Sequence, residues 1–450
     1  MILSVRPSRA CGSAGSSLQA IARENLTGIL WSPAARSQSL RRLPQDRPPQ
    51  PLQRTRLPFL QVHSSRAFHS TPKRDSYTPR ISYRVAASSS GKSRRFLPTK
   101  NAYNFNPELH DALGVAVDTQ DPATKRKRRP DSGEDAFFVS TVGRRRDPSK
   151  DNTIAFAVAD GVGGWAESRV DPADFSHALC DYMAQTALDW DGPAEQLRAK
   201  YLLQAGYDRV VADETIPAGG STASVGIGLD DGRIELANLG DSGSVLLRQA
   251  AVHHYSIPQT HGFNTPYQLS IIPKRMRQQA SIFGGGFLED FPRDANTTTL
   301  HMHHGDVLML ATDGVFDNLN NQDILKLVTG RMIYTGAWRA STSPNTGIIP
   351  ADRETLDRLT GAEGVATLVP SAMPKSTSNK STIVSNPNNH IYTLQSLLAA
   401  SIAGEAKLAS LDPRRDSPFA KEAQRYYPGD HYRGGKVDDI AVLVIIAVEE

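Results

Sequence analysis

Cysteine is nearly absent: the 450 residues hold two, Cys11 and Cys180. Cys11 falls in a segment expected to be removed. One remaining thiol cannot close an intramolecular disulfide, which suits a reducing compartment. Cys180 lies in a predicted helix and reads as a small buried apolar residue rather than a nucleophile. Long apolar runs are missing too. None approaches the roughly 18–20 residues that span a bilayer, so no transmembrane helix is expected. Acidic residues are scarce in one place only. Residues 1–74 carry Glu24 and Asp46 against twelve basic residues, which leaves 39 basic and 45 acidic residues beyond position 74. The net charge of +4 therefore belongs to the leader, and it lends nucleic-acid binding no support.

That leader is rich in Arg, Ser and Pro. Leu18, Ile21, Ala22, Leu26 and Ile29 fall on one face at helical spacing. An apolar stripe with positive charge is the composition of a mitochondrial transit peptide, whereas a secretory signal would need an apolar core of about 7–15 residues. In Arg66-Ala67-Phe68-His69-Ser70 an arginine precedes an aromatic by two, which places cleavage near Phe68 and His69. The expectation is a transit peptide over 1–68, delivery to mitochondria and residence in the matrix. Residues 69–130 read as a partly irregular N-terminal extension. It ends in the basic run 125–129, taken as a solvated loop, with a phosphate-attracting rim as the sharper alternative.

From Asp131 the pattern tightens. Residues 154–159 read as a buried strand stopped by Asp160-Gly161, and Asp171-Pro172 caps a helix to about Trp190. A second helix is predicted over 193–212. Strands over 221–229 and 233–239 flank the hairpin turn Asp230-Asp231-Gly232. Further strands are predicted at 244–248 and 307–310, with a helix from Asn321 to about Val328 and another over 393–410. The last stretch, 440–448, is almost wholly apolar and β-branched, as a central strand should be. Between about 335 and 390, Ser, Thr, Pro, Asn and Gly dominate. This reads as an insertion within one domain over 131–450, because the final strand carries an acid that the site requires.

Four acidic clusters stand at strand ends: Glu134-Asp135, Asp160-Gly161, Asp313-Gly314 and Asp438-Asp439. Mg²⁺ and Mn²⁺ take oxygen ligands in near-octahedral geometry and retain several waters. Carboxylates projected from neighbouring strand ends supply such ligands, and glycine after aspartate permits a tight turn. Each Asp-Gly pair alone is ordinary turn chemistry. Two of them after apolar strands, with Asp-Asp opening a third, make a metal site a reasonable reading.

The ordered motifs Asp131-Ser132-Gly133-Glu134-Asp135-Ala136, Asp160-Gly161-Val162-Gly163-Gly164-Trp165, Gly219-Gly220-Ser221-Thr222-Ala223, Asn238-Leu239-Gly240-Asp241-Ser242, Ala311-Thr312-Asp313-Gly314-Val315-Phe316-Asp317 and Val437-Asp438-Asp439-Ile440 resemble the metal-dependent protein phosphatase family, type 2C, and within it the mitochondrial branch. The resemblance implies an α+β fold, an α-β-β-α sandwich of two antiparallel sheets flanked by helices, with a cleft for two Mg²⁺ or Mn²⁺ ions at one end. By that resemblance Asp160 bridges both ions and the Gly161 carbonyl binds one, while Asp313 and Asp438 bind the other. Glu134 and Asp135 act beside them by holding waters, and Asp439 falls where the family often has asparagine. The implied reaction is direct hydrolysis of phosphoserine and phosphothreonine in mitochondrial phosphoproteins by an activated water. Two positions depart from the family: Val162 replaces a histidine that protonates the leaving oxygen, and Pro130 replaces a phosphate-gripping arginine. Arg128 or Arg129 is the candidate replacement for the arginine. The departures leave a pseudophosphatase that only binds phosphoproteins as an alternative, and a hydrolase of small phosphate esters as another. His301-Met302-His303-His304 reads as a surface turn rather than a metal site. Phe283-Gly284-Gly285-Gly286-Phe287 reads as a mobile loop, and Trp165 as a packing residue.

Overall fold

The computed structural model describes residues 80–145, 152–282, 287–342, 347–361, 364–365 and 393–450. The expected leader over 1–68 lies outside the described residues, as do positions 283–286. Two six-stranded sheets dominate. The first runs in the order Ala251–Tyr255, Gly243–Arg248, Val307–Ala311, Ile440–Glu449, Ile81–Ser90, Ala102–Phe105. The second runs Asn296–His301, Arg233–Leu239, Ala223–Gly228, Ile154–Asp160, Asp135–Thr141, Ala112–Leu113. Every pairing within them is antiparallel.

The final strand shows why its sequence is continuously apolar. Ala441, Leu443, Ile445 and Ala447 face the second sheet, packing in one core with Phe137, Phe156, Val158 and Leu236. Val442, Val444, Ile446 and Val448 face the other way, against Leu398, Ile402 and Ala406 of the helix Leu394–Ser410. Both faces are dry, so period-2 alternation vanishes. On the outer face of the second sheet, Phe175, Leu179 and Met183 of the helix Pro172–Leu188, with Leu202 and Leu203 of the helix Ala199–Ala212, cover Phe138, Ala157 and Val225. The result is the expected α-β-β-α sandwich.

Three expectations on extent change. The folded domain reaches back to Ile81 rather than starting at Asp131. The strand Ile81–Ser90 pairs residue for residue with the final strand, from Ile81 opposite Glu449 to Ser90 opposite Ile440. Its run of Ala and Ser has weak β propensity, yet Ser82, Ser88, Ser89 and Ser90 are all buried. The basic run is no loop. It forms the helix Pro122–Arg128, capped by Asp121. Within the supposed insertion, Trp338–Ala340 pairs with Ile348–Pro350, and the helix Arg353–Thr360 follows. Buried Trp338 donates from Nε1 to the Gly305 carbonyl at 2.9 Å, so this part belongs to the core. Positions 366–392 lie outside the described residues.

Candidate metal centre

Asp135 and Asp160 end neighbouring strands and face each other in register. The turn after Asp160 needs its glycine. A Cβ on Gly161 would lie 2.7 Å from the carbonyls of both Glu134 and Pro172. Gly161 N donates to the Glu134 carbonyl at 3.2 Å, which also accepts the Ser176 hydroxyl at 2.6 Å. From the other sheet, Asp313 follows the strand Val307–Ala311 and opens the short helical turn Asp313–Phe316. A Cβ on Gly314 would stand 1.9 Å from the Asp439 carbonyl, so only glycine lets the start of the final strand press against this turn. That contact brings Asp438 beside Asp313.

The carboxylates converge from both sheets. Asp313 is within hydrogen-bonding reach of Asp160 and of Asp317, and Lys436 Nζ contacts Asp313, Asp317 and Asp438 at 2.6, 2.7 and 3.1 Å. Burial, then the neighbouring Asp313 and Asp135, pushes the Asp160 carboxyl well above the usual range. Burial and Asp439 do the same to Asp135. Asp438 is raised to about 6 and Asp317 to about 7, in both cases chiefly by burial. Burial raises Asp313 most, but the Lys436 ammonium and hydrogen bonds with Asp160 and Asp317 together outweigh it and hold this carboxyl low. Half-buried Glu134 is raised by burial, with Lys92 Nζ at 3.2 Å opposing.

Asp439 has separate work. Its Oδ2 accepts Glu134 N at 2.8 Å and its Oδ1 accepts Lys92 N. Occupied by two amides, it ties loops together, and Asp438, which shares Lys436 with Asp313, is the one of the pair set in the cluster.

Asp241 and Asp317 also join the cluster, although their motifs alone single out neither. Burial, then Asp313 and Asp317, raises the Asp241 carboxyl, and its buried Oδ1 accepts no hydrogen bond from the described residues. The available signals were the left-handed Gly240 (φ 96°) before Asp241, and the spacing of Asp317 one helical turn after Asp313.

Among the described residues, no three His, Cys, Asp or Glu side chains stand in ready coordination geometry. The set nonetheless fits hard divalent ions. It supplies only oxygen donors, it crowds like charges that need a cation, and it holds an orphan acceptor in Asp241.

The expected replacements at the departures do not arrive. Arg129 pairs with Asp174 at 2.5 Å and with Asp171 at 3.6 Å, and Arg128 pairs with Asp118. Arg126 and Lys125 likewise pair with Asp174 and Asp181. Four of the five basic side chains in the run are thus committed to ion pairs with aspartates. Val162 packs against buried Trp165, Ala218 and Ile272, as does Phe287. His303 and His304 engage neighbours in a turn, through His303 N to Asp306 at 2.7 Å and His304 Nε2 to the Ala351 carbonyl at 2.9 Å. Cys180 is fully buried.

Comparison with known proteins accords with this geometry. The family model described as Protein phosphatase 2C matches residues 132–342. "Protein phosphatase 2C homolog 7, mitochondrial" of Saccharomyces cerevisiae is 30% identical over 385 residues, covering 85% of this chain and 91% of that protein. "Protein phosphatase PTC7 homolog" of Homo sapiens is 31% identical over 322 residues, covering 70% of this chain and 80% of that protein. Among solved structures, the photosystem II phosphatase PBCP is 24% identical, covers 72% of this chain and 94% of its own, and aligns with a TM-score of 0.45. With its acidic cleft between two sheets and a yeast relative matched over nearly its whole length, the chain is an enzyme of the protein phosphatase 2C family.

Proposed function

We propose that this enzyme is a Mg²⁺- or Mn²⁺-dependent phosphatase acting on phosphoserine and phosphothreonine in mitochondrial phosphoproteins. The observation that carries the reading is the convergence of Asp160, Asp313 and Asp438 from separate strand ends into one cluster. When bound, two divalent ions supply an activated water and neutralise charge on the phosphoryl oxygens. Asp160 would serve both ions and the Gly161 carbonyl one of them, and Asp313 and Asp438 would hold the other. Glu134 and Asp135 would accept hydrogen bonds from water beside the cluster and so orient it.

Lys92 takes the place of the missing arginine. Two buried groups pin its loop: Lys407 Nζ donates to the carbonyls of Gly91 at 2.9 Å and Lys92 at 2.8 Å, and Asp439 accepts the Lys92 amide. The ammonium is thereby set at the rim beside Glu134, partly exposed, where a phosphoryl oxygen would meet it.

The arginine-rich leader and the name of the yeast relative support a mitochondrial location, with the matrix as the compartment and 1–68 as the cleaved segment. Among the described residues no helix is long and apolar enough to cross a membrane. Turnover of a phosphothreonine peptide tests the activity. It should require Mn²⁺ or Mg²⁺, stop with chelator, and fall by about 10²–10³-fold or more in Asp160→Asn. Peptide binding without turnover at any metal concentration would favour the pseudophosphatase. N-terminal sequencing of the native protein tests cleavage near Phe68.

A further inference from the structure

Lys436 is the one cation inside the acidic cluster among the described residues, and nothing in the reaction as written uses it. Its side chain is 18% exposed, and its Nζ spends its donors on Asp313, Asp317 and Asp438 at 2.6, 2.7 and 3.1 Å. The ring of Phe419 flanks the ammonium, 5.4 Å from centroid to Nζ. The backbone is held as firmly. Lys436 N donates to Asn318 Oδ1 at 2.9 Å, and Asn318 Nδ2 donates to the Lys436 carbonyl at 2.8 Å and the Gly314 carbonyl at 3.0 Å. One asparagine thus clamps the residue to the turn that carries Asp313. The lysine cannot drift away from the cluster by loop motion alone. Its side chain must swing.

An ammonium offers three donors and no acceptor. Here all three point at carboxylates, two of which, Asp313 and Asp438, are the donors assigned to one divalent ion. The ammonium and that ion want the same oxygens, and like charges placed there together would repel strongly. Without either cation, three part-buried carboxylates would face one another uncompensated.

We propose that Lys436 is a tethered positioning cation. It gathers Asp313, Asp317 and Asp438 while metal is absent, and it is expelled when a divalent ion takes this half of the centre. The ion's affinity there is then set by the work of displacing the lysine. This rests on the metal-dependent reading above.

The test is Mn²⁺ binding to the full chain after chelator treatment, followed by the electron paramagnetic resonance signal of free Mn²⁺. Wild type should show a weaker class of site, and Lys436→Met should tighten it by about 10-fold or more, within the usual range for two linked ligands. Lys436→Arg, which keeps the charge, should bind no tighter than wild type. In chelator, Lys436→Met should also melt below wild type, and saturating Mn²⁺ should remove that deficit. Unchanged or weakened Mn²⁺ binding by Lys436→Met would overturn the proposal. Should that variant not fold, amine labelling of wild type with peptide mass spectrometry decides. Lys436 should be protected in chelator and labelled on Mn²⁺ saturation, and equal labelling in both states would overturn the proposal. If wild type binds no Mn²⁺ at all, the failure lies with the metal-dependent reading itself.

Discussion

Thr312 Oγ1 donates to Asp135 Oδ2 across 2.7 Å, linking a strand of one sheet to the residue that directly follows the strand Val307–Ala311 of the other. The same hydroxyl accepts the Ala441 amide at 3.0 Å, at the start of the final strand. A single buried hydroxyl therefore joins the acid end of one sheet to two strands of the other. Thr312→Val keeps the shape but leaves a carboxylate oxygen and an amide unpaired. Each such group typically costs about 1–3 kcal/mol. Urea denaturation should show a loss of that order for Thr312→Val, while Thr312→Ser should stay near wild type. Phosphopeptide turnover should fall in the valine variant alone.

Gly314 lets the final strand's first residues lie on the Asp313 turn. Gly314→Ala would place a Cβ 1.9 Å from the Asp439 carbonyl, so that backbone must move and Asp438 must leave Asp313. Overpacking of this kind costs about 1–3 kcal/mol or more. The expected result is loss of Mn²⁺ affinity together with stability, read by calorimetry. Gly330 is the internal control. It sits within the helix Asn321–Tyr334 with nothing within 4 Å of its would-be Cβ, so Gly330→Ala should stabilise by up to about 1 kcal/mol and leave activity intact.

Lys92 should act on phosphate and not on metal. Lys92→Met is expected to raise both KM for a phosphothreonine peptide and Ki for inorganic phosphate by about 10-fold, the scale of one charge-assisted hydrogen bond. Lys92→Arg should restore most of both. Mn²⁺ affinity and melting temperature should hardly change. An unaltered phosphate Ki in the methionine variant would remove Lys92 from the site.

Much of this arrangement was legible in the sequence, for identifiable reasons. A strand buried on both faces writes itself as an unbroken apolar run, as 440–448 does, and an aspartate fixed at a strand end announces itself by the glycine that follows. Asp171-Pro172 marked a helix start as the structure has it, with Asp171 the cap and Pro172 the first helical residue, while the helix placed from Thr393 begins one residue on, at Leu394. The strand Ile81–Ser90 was illegible because Ala and Ser carry little β signal, and its place next to the final strand is a long-range pairing. The run 125–129 looked like exposed charge because its partners Asp174 and Asp181 lie some fifty residues on, in another helix. Lys436 was hidden for the same reason. A lysine two residues before an aspartate pair looks like a surface residue until Asp313 and Asp317 close around it.

The metal-free protein should have a stability optimum on the acid side of neutrality. Asp317 is raised to about 7 and Asp438 to about 6 from an ordinary 3.8, and Asp135, Asp160 and Asp241 are also raised, all chiefly by burial. The folded state thus keeps protons that the unfolded chain has already released, so stability falls as pH rises through the folded values. Asp313, held low by Lys436, works in the opposite sense, but its loss is confined to pH values near and below 3.8. Lys436 itself is raised well above 10.5 by its three aspartates against the pull of burial, and it stays charged throughout. Buried His177 is lowered to about 3 from 6.5 by burial and then by Arg129, so the unfolded chain alone takes up its proton below about pH 6.5 and stability is lost on that side. Above about pH 6.5 that histidine is neutral in both states, and the carboxylates act alone. Below it that single histidine is outweighed by the five raised carboxyls, so in chelator the melting temperature should be highest at about pH 4 and fall as pH rises towards 7. Saturating Mn²⁺, which binds the ionised carboxylates, should abolish the fall. A melting temperature that stays flat or climbs from about pH 4.5 to 7 in chelator would mean that these carboxylates do not share one buried cluster.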